Sequence, residues 1–484
     1  MKARLLAERN RKWLTLVAVA IGLFMIMLDN TIVNVALPSI RRGLGISISE
    51  LEWVVTAYAL TFGTFLLTGG KLADLLGRRR IFIVGTVIFT VSSLVCGLAG
   101  GAGMLIGART AQGIGAAMMN PATLSIITTT FPPRQRGTAI GIWAGVAALA
   151  LAIGPLIGGV LTEHLGWSWI FFVNVPVGAV GILAARLFID ESRDTSHEQR
   201  LDLPGLLSSA IGLFALTFAL IEADRPGWGW GSPQILALFG VFALALIAFV
   251  LLERRQRLPM LDLGLFRNLT FSGANTVMLL VGLAMFGVFF YVSIYMQTVL
   301  GYSPVQAGAA FLPMTVLIIL VAPLAGRFTD RIGPRWLMAA GMGLVTASLL
   351  LFSRLGVGSS FWTLLPALIL GGFGMALAMS PTTAAAMHAV PPAKAGVGSA
   401  VINSMRQVGG SLGIAVMGAI VATSYGGGGA ASAGSYVDGM QLGLRVSAGI
   451  AFTAAVVAAL TVRPPRVEPA RGEAPRYAEA VEVS

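Results

Sequence analysis

Residues Gly70–Arg80 read GKLADLLGRRR, and residues Gly326–Arg335 read GRFTDRIGPR. At an offset of 256 positions, Gly70, Lys71, Asp74, Gly77 and Arg79 fall on Gly326, Arg327, Asp330, Gly333 and Arg335. Two unrelated loops on one side of a membrane would share basic charge; shared glycines and a shared acid mark a duplicated unit. Each stretch joins two long apolar runs, so the repeated unit is made of membrane-spanning helices. Internal repeats of this kind build many secondary transporters, whose halves rock about a central site.

The composition of the whole chain agrees. Of 484 residues, 56% are hydrophobic and 11% charged, with a mean hydropathy of +0.83. A soluble domain carries about 25% charged residues, so the apolar excess must face lipid. Runs of 18 or more apolar residues between charged or Pro/Gly-rich breaks, each long enough to cross a bilayer, number fourteen. Those that matter most below are 13–36, 52–70, 104–128 and 138–162, the first, second, fourth and fifth. The first run is too long for a signal-peptide core and has no small-x-small cleavage site, so it is a retained span.

Cytoplasmic loops accumulate Lys and Arg. With the N-terminus inside, 26 of the 33 basic residues fall on inner segments, four on outer loops (Arg41, Arg42, Arg225, Arg354) and three within helices (Arg109, Arg406, Arg445). One miscounted span would swap sides downstream and destroy this bias, so fourteen spans with both termini cytoplasmic are expected. The net charge of +12 is then mostly topology, and no nucleic-acid partner is expected. The nine Trp lie near helix ends, where an aromatic belt puts them. The single Cys96 excludes a disulfide framework, and three His without ligand spacing leave no metal site.

With these loops the chain resembles the major facilitator superfamily, specifically its fourteen-helix drug:proton antiporter branch of the EmrB/QacA type. Gly70–Arg80 is similar to the superfamily's G-x-L-a-D-x-x-G-r-k-x loop. LDNTIVNVALP (Leu28–Pro38), RTAQGIGAA (Arg109–Ala117), IGPLIGG (Ile153–Gly159) and WSWIFFVNVPVG (Trp167–Gly178) are similar to the branch's motifs in helices 1, 4 and 5 and the stretch that follows. The resemblance implies an all-α polytopic fold with six-helix bundles at 1–189 and 269–462. An inserted helix pair would occupy 190–268; the tail at 463–484, rich in Pro, Arg and Glu, is expected from its composition to be disordered and cytoplasmic. Parity agrees, since an inserted pair restores the original side and lets both repeated loops face inward.

Ionisable groups at membrane depth are costly and mark function. Asp29 reads as the only deeply placed acid, sixteen residues into helix 1, and Arg109 enters helix 4 at nearly equal depth. An acid so placed is tunable, because desolvation favours its neutral form and a nearby cation its charged form. Asp29 and Arg109 are therefore the candidate proton-coupling pair, with Asn34, Gln112 and Arg406 as a polar shell. Asp74, surrounded by Lys71, Arg78, Arg79 and Arg80, can form ion pairs or cap a helix start, and Asp330 is its repeat partner. The resemblance implies that the loop built on Gly70, Lys71, Asp74, Gly77, Arg78, Arg79 and Asp330 latches the inner gate. Gly145, Gly154, Pro155, Gly158 and Gly159 give helix 5 a small-residue face for close packing. Met285, Phe289, Tyr291 and Tyr295 in helix 9 are adaptable or flat side chains suited to a promiscuous cavity.

No G-x-x-x-x-G-K-[ST] occurs, so the expected driving force is a proton gradient, with protons as coupling ion and no cofactor. The expected function is proton-coupled export of hydrophobic or amphipathic drugs by alternating access, the chain acting as a plasma-membrane monomer. Val305–Ala325 holds no acid, which favours neutral or monocationic substrates. Export of one dedicated metabolite or siderophore is the alternative within the transporters. An intramembrane enzyme would need a nucleophile–base or metal cluster within the spans, and no span interior contains His.

Overall fold

The computed structural model describes residues 2–193, 202–223, 228–256, 259, 261–390, 395–424 and 433–463. Fourteen helical spans run through them. The first six are α1 (Lys2–Leu44), α2 (Ile48–Leu76), α3 (Arg78–Gly97), α4 (Ala102–Thr130), α5 (Pro133–His164) and α6 (Trp169–Phe188). Next come α7 (Leu203–Glu222) and α8 (Pro233–Arg255). The last six are α9 (Leu269–Thr298), α10 (Pro304–Ala310 continuing as Leu312–Ile332), α11 (Pro334–Phe352), α12 (Phe361–His388), α13 (Ala395–Thr423) and α14 (Ala433–Thr461).

Thirteen of these are apolar enough to cross a membrane by composition alone. The exception is α4, which carries Arg109, Gln112 and Asn120. It tolerates them because it packs inside the first bundle, between α2 and α3. The opposite case is α8, whose most apolar stretch is scarcely buried by the rest of the protein, as a lipid-facing helix requires.

The helices outrun their apolar stretches. A 29-residue helix is about 43 Å long, against a hydrocarbon core of about 30 Å. Helix α2 begins at Ile48 behind a capping box in which Glu50 N donates to Ser47 Oγ (3.2 Å) and Ser47 N to Glu50 Oε2 (2.8 Å). Likewise α1 continues through Pro38 to Leu44, so Asn34 lies well inside it and not at its end.

Gly70, Lys71 and Asp74 lie within α2, and Arg78 and Arg79 within α3. The expected loop is therefore two helices meeting at one residue, Gly77, at φ +114°. Gly333, its repeat partner, joins α10 to α11 at φ +82°. Both backbones sit where a Cβ is strained, which explains why the repeat keeps these glycines.

The duplication is visible in the packing. Within the first six helices the main contacts are α1 with α5 and α6, α2 with α4, and α3 with α4 and α6. The same set, shifted by eight helices, recurs as α9 with α13 and α14, α10 with α12, and α11 with α12 and α14. Between the halves the reciprocal pairs α2–α13 and α5–α10 meet. Helices α7 and α8 pack on each other, and α7 leans on both α2 and α13, covering that seam. An apolar cavity of about 420 Å³ lies between α2 and this pair. The tail beyond Arg463 lies outside the described residues.

Candidate functional site

Three helices bring together a sealed polar cluster. Asp29 on α1 is 1% exposed, Arg109 on α4 is 1% and Gln112 on α4 is 0%. Arg109 Nη1 donates to Asp29 Oδ2 (2.6 Å) and to Gln112 Oε1 (2.7 Å). Gln112 Nε2 donates to Asp29 Oδ1 (2.9 Å) and to Ser93 Oγ on α3 (2.7 Å). Both carboxylate oxygens thus have a donor, supplied by residues three apart on one helix face.

The guanidinium is held on other sides as well. Its Nε donates to the Val54 carbonyl of α2 (3.0 Å). The Tyr58 ring lies 4.2 Å from its Cζ and the Phe171 ring 5.7 Å, within cation–π range. Cys96 is a free buried thiol whose Sγ stands 3.8 Å from Gln112 Oε1. A buried charge persists only when paired and hydrogen-bonded, and here one acid and one base neutralise each other. The chemistry available is proton exchange: a proton on Asp29 removes the charge that holds Arg109, and Arg109 touches α1, α2 and α4 together.

The other expected residues go elsewhere. Asn34 donates along its own helix to Asn30 O (3.3 Å), while its carbonyl accepts from Ser293 Oγ of α9 (2.8 Å). It belongs to the contact between the halves and not to the cluster. Arg406 on α13 donates to Asn403 Oδ1 at 3.4 Å, its buried Nε has no partner, and no carboxylate lies within ion-pair distance among the described residues. Its neighbour Gln407 reaches Asn30 Oδ1 at 3.5 Å, one residue from Asp29.

Asp74 pairs with Arg78 across the joint (2.9 Å), both partly exposed. It does not cap α3. Glu191, following α6, does so by accepting from Arg79 N (3.1 Å) and Arg80 N (3.2 Å), while Arg79 Nη2 donates to Arg186 O (2.9 Å). Sequence alone gave no sign of this, because Glu191 lies 112 residues from Arg79. The side chain of Asp330 lies outside the described ones.

In α5, a Cβ on Gly154 would overlap Thr31 of α1, and one on Gly158 would lie 2.6 Å from Ile32 O. Gly159 meets Pro304 O of α10, and Pro155 O meets Gly308. Gly145 has nothing within 4 Å. In α9, Met285, Tyr291 and Tyr295 are buried, and Phe289 packs on Phe311 with ring centroids 5.5 Å apart. Tyr295 Oη donates to Gly356 O (2.6 Å). Tyr291 Oη donates to Glu52 Oε1 of α2 (2.5 Å).

Glu52 is a further buried acid that the sequence did not mark. It is 4% exposed and lies in the second turn of α2, since the helix starts at Ile48 and not at the edge of the apolar run.

The sequence profile described as Major Facilitator Superfamily matches residues 19–414 and 276–482. The tetracenomycin C resistance and export protein of Streptomyces glaucescens is 38% identical over 423 residues, 86% of this chain and 77% of that one. The multidrug resistance protein Stp of Mycobacterium tuberculosis (strain CDC 1551 / Oshkosh) is 38% identical over 410 residues, 84% of this chain and 76% of that one. A bacterial homologue of the human lysosomal transporter Spinster, solved inward-facing and unoccupied, matches with a TM-score of 0.67 at 18% identity, covering 93% of this chain and 97% of that one. That likeness concerns the fold.

Proposed function

The chain belongs to the Major Facilitator Superfamily, and from that premise we propose that it is a proton-coupled exporter of amphipathic, antibiotic-like small molecules. It is a transporter and not an enzyme, and a multi-pass membrane protein. The observation that carries the proton-coupled reading is the Asp29–Arg109–Gln112 cluster: one membrane-depth acid, charge-balanced by one base, held by three helices of one half. Antiport requires a group that holds either a proton or the influence of the substrate, and Asp29 is placed to be that group.

Fourteen helices, with α7 and α8 inserted between bundles at 1–189 and 269–462, support assignment to the fourteen-helix antiporter branch. On this reading both termini are cytoplasmic, the Gly77 and Gly333 joints face the cytoplasm, and the monomer works in the plasma membrane. The absence of an acid from Val305–Ala325 favours neutral or monocationic substrates, and Arg406, with no carboxylate in ion-pair range among the described residues, weighs toward the neutral ones. One relative is named for a single compound and another for many, so breadth is a question for a substrate panel.

The test is transport in proteoliposomes carrying an internal pH dye. Wild type moves protons when an accepted drug is added, and Asp29→Asn binds drug but does not concentrate it. Uphill accumulation by Asp29→Asn would overturn the coupling assignment.

A further inference from the structure

The described side-chain bonds between the two halves lie at mid-depth or on one side of the molecule. Ser293 to Asn34 O (2.8 Å), Gln297 to Val35 O (2.8 Å), Val305 N to Glu163 (3.0 Å) and Tyr291 to Glu52 (2.5 Å) gather near the C-terminal ends of α1, α5 and α9 and the N-terminal ends of α2 and α10. Two more, Ser404 to Gly63 O (2.8 Å) and Gln407 to Asn30 (3.5 Å), reach mid-depth. Among the described residues none lies at the face of Gly77 and Gly333. The molecule is therefore tied shut at the face away from those joints.

One of these ties involves two buried side chains and an acid. Glu52 on α2 (4% exposed) accepts the hydroxyl of Tyr291 on α9 (0%). Helix α13 closes over it at Gly418, where a Cβ would stand 2.6 Å from the Glu52 carboxyl carbon. Tyr291 is braced in turn, its carbonyl accepting from Tyr436 Oη of α14 (2.8 Å). On the other side of α2, two residues from Glu52, the Val54 carbonyl accepts from Arg109 Nε (3.0 Å). The same short stretch of helix therefore touches the coupling pair and the opposite half.

We propose that Glu52 is a gating residue of the transport cycle: its bond to Tyr291 holds the far face shut, and α2 carries the state of the Asp29–Arg109 pair to that tie through Val54. The proposal rests on the export reading above. An acid suits the task. Buried, the carboxylate is held by Tyr291; when the halves part it gains water, so the tie is breakable in a way that an apolar contact is not. The geometry gives the route: a change in the Asp29–Arg109 pair alters the hold of Arg109 on Val54, and with it the set of the first turns of α2 against α9 and α13.

The experiment measures the gate directly. Spin labels at Arg42→Cys on α1 and Val357→Cys beyond α11, both exposed and both on the closed face, report the separation of the halves in a Cys96→Ala background. Removing the tie by Glu52→Leu or by the nearly isosteric Tyr291→Phe should raise the ratio of open to closed populations by about tenfold or more, the low end of the range for loss of a hydrogen bond to a charged group. The two together should do no more than either alone. Glu52→Gln keeps an acceptor for Tyr291 but not the charge, and should fall between wild type and Glu52→Leu. Unchanged distances in Tyr291→Phe, additive effects, or opening in Glu52→Gln equal to that in Glu52→Leu would each overturn the proposal. The distances need neither drug nor gradient. They judge the tie even if no compound proves to exchange with protons, a result that would remove the export reading instead.

Discussion

Asp29 is held by two donors that share one face of α4, and that economy makes the pair sensitive to single changes. Asp29→Asn leaves the Arg109 guanidinium as a buried cation without its counter-charge. Breaking a buried pair from one side costs about 3–5 kcal/mol. The expected outcome is a fall in the thermal midpoint of the purified protein as well as loss of coupling. Adding Arg109→Gln to Asp29→Asn should restore much of the stability and none of the coupling; equal stability of single and double variants would show that the pair is not charge-balanced as the structure has it. These residues were legible in sequence because a charge inside an apolar run is conspicuous, and Arg109 and Gln112 share a helix face by spacing. Ser93, Tyr58 and Phe171 were not, since only the rotation of α2, α3 and α6 in the packed bundle brings such ordinary residues to the cluster. Glu52 was hidden for another reason. It stands where charge gives way to apolar sequence, and only the helix start at Ser47 and the closing of α9 and α13 over it make it deep.

Among the helices, α5 tests what its glycines are for. It is wedged between α1, through Gly154 and Gly158, and α10 of the other half, through Pro155 and Gly159. Gly145 meets nothing. Replacing a mid-helix glycine by alanine favours the helix by up to about 1 kcal/mol, so Gly145→Ala should raise thermal stability slightly. Gly158→Ala should lower it, because the added methyl would stand 2.6 Å from the Ile32 carbonyl and push α5 off α1. Opposite signs from the same substitution on one helix are a sharp check by differential scanning fluorimetry; equal signs would show that α5 packs otherwise. The start of α3 gives a second element-scale expectation. Glu191 accepts two backbone N–H groups there, so Glu191→Ala should cost about 0.5–2 kcal/mol, the range for a lost cap. It should also raise amide exchange at Arg79 and Arg80 while leaving the far face of the bundle protected. The sequence marked the Gly77 joint through its repeat, but an anion supplied from so far along the chain carries no local signal.

At the scale of the whole molecule, the repeated packing with α2–α13 and α5–α10 as reciprocal seams makes the two faces alternatives. Rigid halves that meet about a central seam part on one side when they close on the other. In the conformer described, the face of Glu52 and Tyr291 is tied, whereas at the other face Asp74, among the described residues, pairs across its own joint with Arg78. A partly exposed pair of that kind contributes about 0–1 kcal/mol, so exchanging it for a contact across the halves is nearly free of cost. If the contact Asp74 makes once its own face closes is stronger than its pair with Arg78, Asp74→Asn costs the alternative conformer more than this one and shifts the population toward the one described here. Glu52→Leu acts at the other end and shifts it away. Read by the same label pair at Arg42 and Val357, the two substitutions should move the distance distribution in opposite directions, and combined they should partly offset each other. Movement in one direction by both, or a combined shift larger than either, would mean that the faces open independently and that the molecule does not rock as two bodies about its seam.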